Sequence, residues 1–213
     1  MIIDERFRTY INSIDTPHTE FLEKLYQEAL ENDVPVIRRE MQSFLKTFLL
    51  IARPEKILEV GTAVGFSSIL MAEYAPKPCH ITTVENYEKR VAEAKKNIPA
   101  SGHGDRISLI EGDAAVILKT LEGPYDMIFM DAAKGQYINF LPEVKRLMRS
   151  GSVLISDNVL QDGDIIQSRF VVERRDRTIH KRMRDYLYTI KHDEELSTSI
   201  VPLGDGITIS VKR

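Results

Sequence analysis

Tryptophan is absent from this chain, and cysteine occurs once, at Cys79. Without tryptophan, any aromatic clamp on a ligand has to be built from Phe or Tyr; with one cysteine, an internal disulfide is excluded. There is no amino-terminal apolar run and no apolar stretch of about 20 residues, so neither a secretion signal nor a membrane span is expected, and the cytoplasm is the expected compartment. A strong charge of one sign is also missing. The formal net charge is −3, so the molecule as a whole has no electrostatic reason to seek polyanions, and nucleic-acid affinity would have to come from a local patch. What the chain does have is 43% apolar content in 213 residues, enough to bury roughly 70% of its unfolded surface in one core. A single domain is expected over 1–213, with a helical cap at 1–53 and an α/β core at 54–213.

Residues 4–53 read as helices. Thr16 before Pro17 suits a helix start, and Phe21, Leu22, Leu25, Ala29 and Leu30 recur at helical spacing. A second amphipathic run, Phe44, Leu45, Phe48, Leu49 and Ile51, stops before Pro54, whose ring disfavours helix at the preceding residue. From Lys56 onward, short β-rich runs alternate with helical ones, the pattern of βαβ units and a mostly parallel sheet. Strands are predicted at 56–60, 80–85, 107–111, 127–131 and 153–157, with helices at 67–74, 88–98, 114–121 and 137–148 on both faces. A charged helical stretch at 176–192 precedes β-rich runs at 199–202 and 207–211. Gly204-Asp205-Gly206 between them signals a hairpin, so the sheet is expected to end in an antiparallel pair.

Two common nucleotide motifs are missing as well. The first strand runs into Gly61-Thr62-Ala63-Val64-Gly65, which is Gly-x-x-x-Gly rather than the Gly-x-Gly-x-x-Gly of dinucleotide enzymes, and no Lys-Ser/Thr follows as a phosphate-gripping loop requires. Glycines at this strand-to-helix turn would let backbone amides approach a ligand. Glu85 ends the second strand about 20 residues on, where an acid can accept hydrogen bonds from both ribose hydroxyls. Asp113, after the third strand, suits an adenine. A ribose acid beside a loop with no phosphate grip suggests an adenosine cofactor lacking phosphates, S-adenosylmethionine. The plainer alternative is that Gly61 and Gly65 are turn glycines and Glu85 a solvated strand end.

Histidine and cysteine are absent from the other strand ends, which carry Asp131-Ala132-Ala133-Lys134 and Ser156-Asp157-Asn158. If these strands are neighbours, Asp131 and Asp157 lie side by side and repel unless a cation sits between them. With the amide oxygen of Asn158, this all-oxygen set suits a hard cation such as Mg²⁺ and disfavours zinc. Lys134 could reach over the pocket. Beside a cation and a cationic cofactor its ammonium would be disfavoured, making it a candidate general base. Separately, Asp131 could be a helix cap, Asp157-Asn158 an ordinary turn and Lys134 a solvated loop lysine.

The chain resembles the cation-dependent class I O-methyltransferases, the group containing catechol and caffeoyl-coenzyme A O-methyltransferases. The resemblance runs from Glu40 and Phe44-Leu45 through Leu58-Glu59-Val60-Gly61, Glu85, Gly112-Asp113-Ala114 and Asp131-Ala132-Ala133-Lys134 to Ser156-Asp157-Asn158-Val159. Within the group the chain looks most like bacterial tRNA 5-hydroxyuridine methyltransferases. Met41 is a departure, standing where plant members carry glycine before a Gln. The resemblance implies an α/β, Rossmann-like class I methyltransferase fold with a mostly parallel seven-stranded sheet. It implies cofactor contacts at Ile37, Glu59, Gly61, Ser67, Glu85, Asp113, Ala114 and Asp131, metal ligands at Asp131, Asp157 and Asn158, Lys134 and Asp131 as catalytic residues, and a homodimer.

Substrate choice turns on a local charge imbalance. Between 169 and 184, Arg169, Arg174, Arg175, Arg177, Lys181, Arg182 and Arg184 face only Glu173 and Asp176, a concentration of positive charge just after the Asp157-Asn158 site. An RNA backbone would meet Arg174, Arg175 and Arg177 there, with Tyr186 or Phe170 offering a stacking face; a solvated helix or a dimer surface would also account for it. Three functions follow: methylation of 5-hydroxyuridine at the tRNA wobble position, methylation of small catechols, and non-catalytic nucleotide binding.

Overall fold

The computed structural model describes residues 4–168 and 170–213, apart from the side chain of Asp162. Three amino-terminal helices, α1 (Glu5–Ile14), α2 (Glu20–Glu31) and α3 (Arg39–Ala52), precede the sheet. The core then alternates β1 (Lys56–Val60), α4 (Phe66–Tyr74), β2 (His80–Glu85), α5 (Glu88–Ala100), β3 (Ile107–Glu111), α6 (Ala114–Thr120), β4 (Tyr125–Met130), α7 (Tyr137–Arg146) and β5 (Met148–Ser156). It finishes with α8 (Arg177–Lys191), β6 (Leu196–Val201) and β7 (Ile207–Lys212). Short 3-10 turns at Lys134–Gln136 and Ile-ending Gln161–Ile166 follow β4 and β5. None of the described helices is long and apolar enough to cross a membrane.

The seven strands lie in the order β3-β2-β1-β4-β5-β7-β6. The first five are parallel, and β7 runs antiparallel between β5 and β6. The expected hairpin is present, with its second strand innermost. In β7, Ile207, Thr208 and Ser210 are buried, whereas β6 is largely exposed, so the strand covered on both faces takes the inner place.

Side-chain alternation divides the apolar residues between two layers. Ile57, Ile81, Met127, Phe129 and Ile155 pack with Leu22, Leu25, Met41, Leu45 and Leu49 of α2 and α3 and with α4 and α5. Leu58, Val60, Val84, Ile128, Met130 and Leu154 pack beneath α6, α7 and α8. The amino-terminal helices therefore cover one side of the sheet, with Leu22, Leu25, Ala29, Leu45 and Leu49 inward, while Leu30 and Ile51 of the same predicted runs face solvent. The Arg39 guanidinium clasps Glu23, tying α3 to α2 and holding the Glu23 carboxyl down at about 2.

Strand order reverses between β1 and β4, and ligands of open α/β sheets bind at the carboxyl ends of the strands beside such a reversal. Register determines which residues stand there. Val84, Val60, Met130 and Ser156 form one rung across β2, β1, β4 and β5, so the next positions, Glu85, Gly61, Asp131 and Asp157, form the rung above. Backbone bonds continue the ladder into it, from Gly61 N to Val84 O (3.0 Å), Asp131 N to Val60 O (2.9 Å) and Asp157 N to Met130 O (3.0 Å).

Candidate active site

A cleft of about 870 Å³ opens over this rung. Its wall includes Ile37, Gly61, Ser67, Glu85, Asp113 and Ala114 together with Asp131, Lys134, Asp157 and Asn158. Sequence reading and structure thus bring together every expected site residue except Glu59. Glu59 lies under the floor, fully buried, accepting hydrogen bonds from the Ser68 hydroxyl and the Thr83 hydroxyl. It points to the layer opposite Val60 because neighbouring strand residues alternate faces.

At the nucleoside end, Gly61 has φ +103°, and a Cβ there would lie 1.9 Å from the Asp131 carbonyl oxygen. Only glycine lets β1 turn so close to β4. The Glu85 carboxylate accepts from three backbone amides: Oε2 from Ala63 N, and Oε1 from Asn86 N and Tyr87 N, each at 2.9 Å. Ala63 is held in the left-handed region, φ +46°, a conformation that needs such support. Asp113 caps α6 through Ala115 N at 2.9 Å, and Tyr87 and Arg90 extend the wall.

At the other end, Asp157 is buried and Asp131 faces it from the adjacent strand. Parallel neighbours are roughly 4.8 Å apart. Burial and the charge of Asp131 push Asp157 up to about 8, and burial raises Asp131, opposed by the Asn158 hydrogen bond. Asn158 Nδ2 donates to Asp131 Oδ1 at 2.9 Å, and Asn158 N donates to Asp157 Oδ1 at 2.7 Å. Asn158 has φ +61°, a strained setting of the kind that accompanies ligand-holding turns. Two crowded carboxylates and an amide form a donor set for a hard cation: a divalent charge would relieve the repulsion that now raises Asp157.

Tyr137 holds the two acids in place. Its buried hydroxyl lies 3.1 Å from both Met130 O and Asp157 O, to which it donates, and accepts from Ala132 N at 3.3 Å. In the sequence Tyr137 reads only as a helix start and Asp205 only as a hairpin-turn residue, and Arg38, in the cleft wall with Asp205, carries no signal. Long-range contacts of this kind leave no local signal. Lys134 begins the 3-10 turn after β4, and α8 buttresses that turn through Arg182 Nη1 to Gly135 O at 3.2 Å.

One expectation for the basic segment is corrected. Tyr186 cannot stack on a base: it is fully buried, bonded to Ser156 Oγ at 2.6 Å and packed edge-on against Tyr137. Helical spacing puts it with His180, Met183 and Ile190 on the inner face of α8. Arg177 is half-buried and donates to Val172 O (3.1 Å) and Phe170 O (3.2 Å). Arg175 pairs with Glu173 and Asp176 on the surface, Arg174 is exposed, and Phe170 is 83% exposed. Arg169 lies outside the described residues.

Burial of Glu59 makes stability pH-dependent. Its pKa is raised to about 7 by desolvation, so the folded state favours the protonated form. The associated stability is fully present below the unfolded value near 4.5 and is lost as pH rises through 7. We expect Glu59→Gln, which stays neutral, to flatten this decline and to be the more stable protein at pH 8 by on the order of 2 kcal/mol. Urea unfolding at pH 5 and pH 8 measures the difference; parallel pH profiles for the two proteins would contradict it.

A seven-stranded sheet in this order, with a glycine turn and an acid at the reversal and oxygen-bearing side chains one strand further on, defines a Rossmann-like class I methyltransferase fold. The chain belongs to the O-methyltransferase family, whose pattern it matches over residues 12–213. It is 37% identical over 127 residues to a catechol O-methyltransferase of Niastella koreensis, a match covering 58% of each protein; the chain thus spans just over half the length of that curated relative. Among solved structures, a candidate caffeoyl-CoA O-methyltransferase from Staphylococcus aureus has TM-score 0.90 and 29% identity, covering 99% of this chain and 100% of that one. An O-methyltransferase from Bacillus cereus in complex with SAH has TM-score 0.84 and 25% identity, with 96% of each chain covered.

Proposed function

We propose that the protein is a cation-dependent, S-adenosylmethionine-dependent O-methyltransferase acting in the cytoplasm on 5-hydroxyuridine at the tRNA wobble position, giving 5-methoxyuridine. The observation that carries the chemistry is the single rung Glu85, Gly61, Asp131, Asp157, which sets a nucleoside site and a paired-carboxylate site side by side. The SAH held by the Bacillus cereus relative supports the choice of cofactor. When bound, the cofactor supplies an electrophilic methyl group, and a divalent cation such as Mg²⁺ supplies the Lewis acidity that acidifies a bound hydroxyl.

The chain's residues do the rest. Glu85 and Asp113 orient the nucleoside, and Gly61 lets it approach the backbone. Asp131, Asp157 and Asn158 would hold the cation through their side-chain oxygens. Lys134 takes the acceptor proton at Nζ, and alignment of the acceptor oxygen with the methyl carbon provides much of the rate. Two adjacent oxygens on the acceptor are required, which the 5-hydroxyl and 4-carbonyl of 5-hydroxyuridine supply. The implied homodimer would cover α1, where Phe7, Tyr10, Ile11 and Ile14 are each at least half exposed.

Support for RNA comes from the exposed Arg174, Arg175 and Phe170, in the basic segment that follows the Asp157-Asn158 loop in sequence. Arg174→Glu combined with Arg175→Glu, leaving the structural Arg177 in place, is expected to raise KM for an anticodon stem-loop about 10- to 100-fold and to reduce its salt dependence. Unchanged stem-loop kinetics would remove these arginines from the RNA site. Mass spectrometry of tRNA nucleosides from a deletion strain tests the activity itself, with accumulation of 5-hydroxyuridine expected. An unaltered nucleoside profile would favour the second reading, methylation of free catechols, which the name of the Niastella koreensis relative supports.

A further inference from the structure

Arg38 and Asp205 are the charged residues of the cleft wall that the proposed chemistry does not use. Among the described lining residues, Glu85, Arg90 and Asp113 belong to the nucleoside end, and Asp131, Lys134 and Asp157 to the reacting centre. Arg38 Nη2 lies 2.6 Å from Asp205 Oδ1, with the two side chains 34% and 17% exposed. The pair joins the residue preceding α3 to the turn between β6 and β7, and so bridges the amino-terminal helices and the far side of the sheet.

Its position along the sheet is informative. The nucleoside site lies over β1, β2 and β3, so a methyl group aimed across the Asp131–Asp157 pair points toward β5 and β7. The acceptor must enter from that side. The 204–206 turn is one strand beyond Asp157, and it is clamped to the loop that follows Asn158: Val159 N donates to Gly206 O and Leu160 N to Asp205 O, each at 2.9 Å. A Cβ on Gly206 would collide with the Leu160 side chain at 2.3 Å, and one on Gly204 would lie 3.9 Å from Arg38 Cδ. The guanidinium is thereby held at a fixed offset from the cation-binding loop, its stem passing over a residue with no side chain.

We propose that Arg38 is a specificity-determining residue that binds a phosphate of the acceptor nucleotide, with Asp205 holding its place until the acceptor arrives. The inference rests on the nucleotide reading given above. A guanidinium matches phosphate and carboxylate through the same two-pronged geometry, so an incoming phosphate can compete with Asp205 for the guanidinium. The exchange also favours charged acceptors over neutral ones of the same shape, because only a charged acceptor can compete for the guanidinium.

The test uses the full-length protein saturated with SAH and Mg²⁺, so that binding is read without turnover. Calorimetry compares 5-hydroxyuridine with its 5′- and 3′-monophosphates. At least one monophosphate should bind about tenfold more tightly than the nucleoside, the lower end of what a charge-assisted hydrogen bond provides. Arg38→Ala should bring that ratio close to one, and Arg38→Lys should restore part of it. SAH affinity measured on each variant separates loss of the phosphate contact from loss of the fold, and Arg38→Gln serves if the alanine variant is unstable. A wild-type ratio near one, or a ratio unchanged in Arg38→Ala, overturns the assignment of Arg38 alone. If neither nucleoside nor nucleotide binds while a catechol is methylated, the nucleotide reading falls and this inference falls with it.

Discussion

Asp157→Ala is expected to lower kcat/KM at least 10³-fold while changing SAH affinity by less than about threefold, because the substitution empties half of the carboxylate pair and leaves the nucleoside end intact. Chelator treatment of the wild-type protein should reproduce the loss, and added Mg²⁺ should reverse it only where Asp157 is present. The same pair sets a pH dependence with a definite sign. Burial and the facing Asp131 push Asp157 up to about 8, so below that pH a cation must displace a proton. Apparent Mg²⁺ affinity should therefore climb about tenfold per pH unit up to about 8 and level off above it. Titration at several pH values, with proton release followed in weak buffer, measures this. Full activity after chelation, or cation affinity that is flat from pH 6 to pH 8, would mean that the two acids do not hold a metal.

Gly61→Ala should have a comparably large effect for a different reason. The added methyl would sit 1.9 Å from Asp131 O and 2.8 Å from Asp131 C, both backbone atoms, at a φ of +103°. Neither strand can yield without breaking the bonds from Gly61 N to Val84 O and from Asp131 N to Val60 O. We expect a loss of about 3 kcal/mol or more in stability and loss of measurable SAH binding. Gly102→Ala is the control: it shares a positive φ, +80°, but its Cβ would meet nothing within 4 Å, so backbone strain alone, about 1 kcal/mol, should remain. Thermal unfolding of both variants alongside SAH calorimetry checks the pair. Similar behaviour of the two would show that the close approach at Gly61 does not matter.

The strand ends that carry the site were legible because apolar runs there stop abruptly at glycine or acid: β1, β2 and β3 begin and end where the pattern placed them. The passage from α7 to β5 was not. The sequence pattern carried helix to 148 and resumed strand at 153, whereas α7 ends at Arg146 and β5 begins at Met148. There Tyr125 pairs with Met148 and Met127 with Val153, so residues 149–152 bulge from the ladder. A bulge is stabilised by its partner strand, and the local sequence contains no trace of that partner.

The site shows the same division. The shared cleft position of Asp131, Asp157, Asn158 and Lys134 could be anticipated because each follows an apolar strand. Tyr186 was misjudged because a charged neighbourhood masked the inward spacing of His180, Met183, Tyr186 and Ile190. Tyr137 and the Arg38–Asp205 pair depend on elements far apart in the chain, and only the folded structure joins them.

The three amide bonds to Glu85 have a kinetic corollary. With Ala63, Asn86 and Tyr87 already fastened to that carboxylate, the turn under the nucleoside is ordered before any ligand reaches it. Capture of a ligand there would avoid the entropic toll of freezing a mobile loop, and an on-rate set by diffusion into the cleft is the expected result.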